Sequence, residues 1–125
     1  IRAGGAGLGG VLTPTGLGTP VADGKATVDV DGETYLLEKP LRAQFALIAG
    51  NRVDELGNVW YRGTTRSFNP LMALAADRTI VEADQLVPVG ELVPEDVVTP
   101  GVLVDQIVQS SYPADSSTDD EGGDR

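Results

Sequence analysis

Polar and apolar residues alternate with period two over Thr27-Val28-Asp29-Val30, and Thr34-Tyr35-Leu36-Leu37-Glu38 reads as the strand that returns beside it. Asp31-Gly32 between them is a strong two-residue hairpin signal, and Lys39-Pro40 closes the second strand. The pattern then changes. Phe45-Ala46-Leu47-Ile48-Ala49-Gly50 is a continuous apolar run, which predicts a strand buried on both faces. Asn51 to Asp54 leads into Glu55-Leu56-Gly57-Asn58, a turn with glycine where positive φ is needed. Val59-Trp60-Tyr61-Arg62 reads as another strand, followed by a loop from Arg62 to Phe68.

Asn69-Pro70 predicts a helix start, with Asn69 as N-cap and proline at the first helical position. Leu71, Met72, Leu74 and Ala75 give that helix one apolar face, while Ala73 and Ala76 allow close approach to a sheet. Arg78 to Ala83 predicts a further strand, Leu86 to Gly90 an extended piece, and Pro94 to Val97 a single helical turn. Thr99 to Val108 fits either of two elements: Thr-Pro caps helices, yet the density of β-branched residues favours a strand. Strands separated by helices imply an α/β fold, an open, mostly parallel sheet with a hairpin insertion. Residues 1–109 carry this pattern, and 110–125 have the composition of an acidic disordered tail.

The opening stretch, IRAGGAGLGGVLTPTGLGT, stands apart because seven glycines crowd into it. Its apolar residues Leu8, Val11, Leu12 and Leu17 distinguish it from a flexible linker, so it reads as an ordered, buried loop beside a ligand. Gly5-Ala6-Gly7-Leu8-Gly9-Gly10 satisfies the G-x-G-x-x-G pattern of dinucleotide sites. That mechanism needs a strand before the glycines and a helix opening after them, and neither is predicted here. Ile1-Arg2-Ala3-Gly4 reads instead as the last turn of a helix meeting its glycine cap, as in the second part of a longer polypeptide.

Composition narrows the chemistry. With no cysteine and no histidine among 125 residues, disulfides, thiolate metal sites and Ser-His chemistry are excluded. A net charge of −10 argues against nucleic acid. No apolar run reaches membrane-spanning length and no signal peptide is visible, so the expectation is a soluble, cytoplasmic protein.

Nine stretches then carry a resemblance: IRAGGAG, TPTGLGT, DGETYLLEKPL, FALI, VDELGN, YRGTTRSFNPLMALAAD, TIVEAD, LVPVGEL and VVTPGVLVD. In this order and spacing, over roughly residues 1 to 109, they resemble the second half of the alpha chain of family I coenzyme A transferases. That group includes 3-oxoacid, 3-oxoadipate and acetate CoA-transferases. The resemblance implies a fold of the NagB/RpiA/CoA-transferase type and an obligate partner, the beta subunit, in an A2B2 hetero-oligomer. It implies ping-pong exchange of CoA between an acyl-CoA and a carboxylic acid, with CoA as substrate and no further cofactor or metal. The family's nucleophile is a glutamate of the beta subunit in a Ser-Glu-Asn-Gly motif, so no residue of this chain inherits a catalytic role. Leu8-Gly9-Gly10 stands where the family often has Ile-Pro, Ser67 where Asn is usual, and Gln44 where Asp is usual. These departures bear on acceptor identity more than on reaction class.

Attack of a carboxylate on a thioester builds negative charge on a carbonyl oxygen, and each fixed N–H donor there is worth roughly 2.7–4 kcal/mol. Gly4, Gly5, Ala6 and Gly7 are therefore candidate substrate-binding residues, with backbone N–H groups facing the reacting end; a glycine run also serves simply to permit a tight turn. Asn69 is a second candidate, at a helix end that offers unpaired N–H groups. Arg62 and Arg66 are candidates for CoA phosphates. Glu38, Glu55, Glu82 and Glu91 are not distinguished from one another by their neighbours. A non-catalytic binding or regulatory module of the same fold is the alternative, and a sugar-phosphate isomerase a third.

Overall fold

The computed structural model describes residues 1–112, so most of the acidic tail beyond Ser110 lies outside the described residues. Asp31 and Gly32 both take positive φ, 52° and 85°, the geometry that matches a tight turn to the twist of the strands it joins. Those strands are β2 (Thr27–Val30) and β3 (Glu33–Glu38), paired antiparallel with Val30 opposite Glu33. A strand that no alternation announces, β1 (Val11–Thr13) within the glycine-rich stretch, adds to the other side of β3, giving the order β1-β3-β2.

The second sheet holds the architecture expected of an α/β fold. β4 (Ala43–Asp54), β6 (Ala76–Val87) and β7 (Gln106–Gln109) run parallel, and β5 (Val59–Trp60) joins antiparallel at the edge, in the order β5-β4-β6-β7. Both long strands exceed the expected runs. β4 absorbs Asn51 to Asp54, and β6 absorbs Leu86 and Val87, because the parallel register continues as far as Asp54 opposite Val87. Thr99 to Val108 divides between both predicted forms: a 3-10 turn over Gly101–Leu103, then β7.

A short helix, α1 (Arg2–Gly5), precedes the first sheet, and α2 (Asn69–Leu74) makes the crossover between β4 and β6. Ala73 of α2 lies against Ala46, Ile48, Val81 and Ala83, and Val53, Val59 and Tyr61 complete that core. The other face of the sheet contradicts the expectation of two-sided burial. Phe45 is 58% and Leu47 73% exposed, because the described helix covers one side only.

The VDELGN turn is built by one carboxylate. Asp54, buried, accepts from the N–H groups of Leu56 and Asn58 at 3.0 and 2.9 Å and from the Asn58 side chain at 2.8 Å. Gly57 takes φ 86° between them. The Asn58 oxygen in turn accepts from Gly101 N–H at 2.9 Å, tying the turn to the segment before β7.

Candidate functional site

On the uncovered face, residues of β4 and β6 stand opposite one another as Phe45 and Arg78, Leu47 and Ile80, Ala49 and Glu82. The row turns from apolar to polar toward the carboxyl ends of the strands, where Asn51 Nδ2 donates to Asp84 Oδ2 at 2.8 Å. Ligands of open α/β sheets collect at such carboxyl ends, where loops leave parallel strands. A hollow of ≈ 380 Å³ lies along this row, lined by Leu47, Ala49, Asn69, Ile80, Glu82 and Val108.

Asn69 reaches the hollow by a route the sequence did not suggest. It is the first residue of α2 and not its N-cap; that position belongs to Phe68, which makes no side-chain cap. The Asn69 carboxamide is held elsewhere. Its oxygen accepts from Ala49 N–H at 3.3 Å, and its nitrogen donates to the Thr65 carbonyl at 2.7 Å. An amide nitrogen carries two N–H groups, so one remains for a ligand.

The loop before α2 is fixed by a second asparagine. Asn51 Oδ1 accepts from Arg62 N–H at 2.7 Å and from the Thr65 hydroxyl at 3.0 Å. Tyr61, where the loop begins, is buried, with its hydroxyl 2.7 Å from Thr99 Oγ1. Burial pushes the Tyr61 phenol above its ordinary pKa, and the Thr99 hydrogen bond offsets this only in part. The Arg66 side chain is exposed and makes no hydrogen bond or ion pair among the described residues.

The glycine-rich stretch lies toward the opposite end of the strands. Gly5 packs on Leu74 at the far end of α2 from Asn69, and Gly4 on Leu41 and Arg42 just before β4. An added Cβ would fall 2.1 Å from the Leu41 carbonyl oxygen at Gly4 and 2.6 Å from Leu74 Cβ at Gly5. Of the four expected N–H donors, those of Gly5, Ala6 and Gly7 are not free. Gly5 N–H donates to Ile1 O, Ala6 to Arg2 O, Gly7 to Gly4 O and Leu8 to Ala3 O. The last two bonds, with Gly7 at φ 68°, form a Schellman cap, so the donors are consumed in ending the helix. Ala6 and Gly7 are exposed rather than buried, and no atom lies within 4 Å of a Cβ built on Gly7.

A second hollow, ≈ 360 Å³, is lined by Ile1, Leu41, Phe45 and Met72 among others and by none of Gly4 to Gly7. It meets the first hollow at Leu47. The structure therefore brings Asn69 to the sheet hollow and leaves the glycines at the other end of the short helix.

Among the four glutamates the fold makes a choice that neighbours in sequence did not. Glu38 pairs with Lys25 at 2.5 Å and Glu91 with Arg52 at 3.5 Å, both at the surface, and Glu55 is exposed in its turn. Glu82 alone of the four lines the hollow beside Asn69. Asn51, Asp84 and Thr65 were not among the expected site residues; an isolated polar residue after an apolar strand run was the one available signal.

The family model for coenzyme A transferase matches residues 1–110. The chain belongs to the coenzyme A transferase family. It is similar to the alpha subunit of acetate CoA-transferase from Escherichia coli (strain K12), with 60% identity over 110 residues, 88% of this chain and 50% of that one. It is also similar to the alpha subunit of the acetoacetyl-CoA:acetate/butyrate CoA transferase of Clostridium acetobutylicum, 57% identical over 109 residues, 87% of this chain and 50% of that protein. The chain thus spans about half the length of the curated relatives it matches. The crystal structure of glutaconate coenzyme A-transferase from Acidaminococcus fermentans shares the fold at TM-score 0.79 and 20% identity, over 90% of this chain and 42% of that one. The coenzyme A transferase fold accounts for the parallel β4-β6-β7 sheet and its crossover helix. Among the described residues no helix is long and apolar enough to cross a membrane.

Proposed function

We propose that this chain forms part of the alpha subunit of a cytoplasmic CoA-transferase that moves CoA between a CoA thioester, such as succinyl-CoA, and a 3-oxoacid or short carboxylic acid. The observation that carries the reading is the match to the coenzyme A transferase family over nearly all described residues. The partner is the beta subunit, in an A2B2 assembly, and it brings the glutamate nucleophile of a ping-pong exchange. CoA enters as substrate, with no further cofactor.

The uncovered sheet face supports an assembly with further polypeptide. Parallel sheets are stable with both faces covered, and here Phe45 and Leu47 are bare on one of them. The sheet hollow, largely apolar with Asn69 and Glu82 in its wall, suits an acyl chain with a polar end. In this reading the second N–H of Asn69 Nδ2 meets the developing carbonyl charge. Gly4, Gly5, Ala6 and Gly7, at the far end of α2 from Asn69, bear on substrate binding only indirectly in this reading, by docking α1 on Leu41 and Leu74.

Co-expression of the intact protein with its beta-type partner tests the reading. CoA transfer from succinyl-CoA to a 3-oxoacid, with a CoA thioester trapped on a partner glutamate, is the expected result. A stable complex with neither turnover nor adduct would favour a non-catalytic binding module instead.

A further inference from the structure

We propose that Asn51 and Asp84 are positioning residues that set the Arg62–Phe68 loop for the phosphate-bearing end of the acyl-CoA. The proposal rests on the transferase reading above and extends it from the arginines of that loop to the two strand residues behind them.

The argument begins with the asymmetry of a carboxamide. A carboxylate accepts hydrogen bonds and donates none, so Asp84 draws the NH₂ end of Asn51 toward itself, at 2.8 Å. The amide oxygen is thereby turned to the loop. There it accepts from Arg62 N–H at 2.7 Å and lies 3.0 Å from the Thr65 hydroxyl, whose single proton it shares with the Arg62 carbonyl. Thr65 passes the constraint on. Its hydroxyl lies 2.6 Å from the Arg62 carbonyl, and its own carbonyl accepts from Asn69 at 2.7 Å. Asn69 reaches back to Ala49 of β4 and lines the hollow. An unbroken run of hydrogen bonds thus leads from β6 through β4 and the loop to the wall of the site.

Gly63, Thr64, Arg66, Ser67 and Phe68 are exposed, and a 3-10 turn over Gly63–Arg66 is the loop's only regular structure. Two β-strand side chains, through Arg62 N–H and Thr65, thus help to set where the loop places Arg66. The Arg66 side chain, with no partner among the described residues, is the charge so placed. A ligand with phosphates at one end and an acyl group at the other would span from this loop to the hollow beside Asn69.

The test uses the intact two-subunit transferase and three variants: Asn51→Asp, Asp84→Asn and the double exchange. Asn51→Asp sets two carboxylates face to face, whereas the double exchange swaps donor and acceptor and restores the bond. The expected result for Asn51→Asp is a fall in kcat/KM for acyl-CoA of roughly tenfold, the size of one lost hydrogen bond, mostly through KM. KM for the acceptor acid stays unchanged. Amide exchange at Arg62 accelerates in the same variant, and the double exchange returns both readouts toward the parent.

Unchanged acyl-CoA kinetics with a faster Arg62 amide would overturn the proposal, as would a double variant no better than the single one. Should Asn51→Asp fail to assemble, Asp84→Asn keeps the site neutral while freeing the amide to flip, and an unaltered KM there overturns it equally. An unsubstituted complex that transfers no CoA would count against the transferase reading. The Arg62 exchange measurement needs no turnover and still upholds or overturns the pair's hold on the loop.

Discussion

At Gly4 to Gly10 the main chain holds itself, and at Arg62 to Phe68 side chains from two strands do the holding. The first turn closes through backbone bonds from Gly5 to Leu8, and its glycines let α1 sit directly on Leu41 and Leu74. The second turn is pinned by Asn51 and Asn69, whose carboxamides satisfy backbone groups that the loop leaves open. A dense glycine run thus marked a packing problem here. Of the two asparagines, Asn69 marks the wall of the hollow and Asn51 the loop beside it.

The contrast is broken or sharpened most forcefully at Gly4. Gly4→Ala drives a methyl group into the Leu41 carbonyl, against main chain that cannot swing aside. A loss of about 3 kcal/mol is expected by chemical denaturation; unchanged stability would mean that α1 does not dock as described. Next comes Asn69→Leu, which leaves Ala49 N–H and the Thr65 carbonyl without their partner. It should cost about 2 kcal/mol and depress turnover as well, so that a purely structural role would show stability loss at full kcat.

Tyr61→Phe, at the root of the second loop, should cost about 1 kcal/mol by removing the bond to Thr99. Its pH signature is distinct. Because burial raises the Tyr61 pKa, the folded state favours the neutral phenol, and that contribution is complete below the unfolded value of about 10. It is lost as pH climbs through the folded value, and thermal melts of Tyr61→Phe above pH 10 should show a shallower alkaline decline than the parent. The smallest effect belongs to Gly7→Ala, where space is open and only the φ of 68° objects. About 1 kcal/mol is expected, with the complex intact. Turnover assays then decide whether bare main chain at Gly7 also matters to the thioester.

Legibility in the sequence followed the range of the interactions. The Asp31-Gly32 hairpin was read correctly because its turn and pairing are local; a helix ending in a glycine cap was read too, but the cap glycine is Gly7, and Gly4 lies inside the helix. The parallel sheet was legible as a class but not in its lengths, since the pairing of Asn51 to Asp54 with β6 is invisible to local alternation. One-sided exposure of Phe45 and Leu47 was hidden because an apolar run does not reveal what covers it. Asn69-Pro70 has the form of a cap, yet a long-range partner, Ala49, outcompeted the helix for the carboxamide. Asn51 and Asp84 meet only once β4 and β6 lie side by side.

The two sheets also differ in when they can form. Strands β2 and β3 need only a two-residue reversal, an event on the order of microseconds. By contrast β4 meets β6 only after the intervening edge strand, loop and helix have been drawn in, a long closure with its entropy cost due before any ladder contact rewards it. A refolding chain is therefore expected to show amide protection at Tyr35 and Val28 ahead of Ile48 and Val81, and assembly of the parallel ladder sets the pace at which the second sheet becomes native.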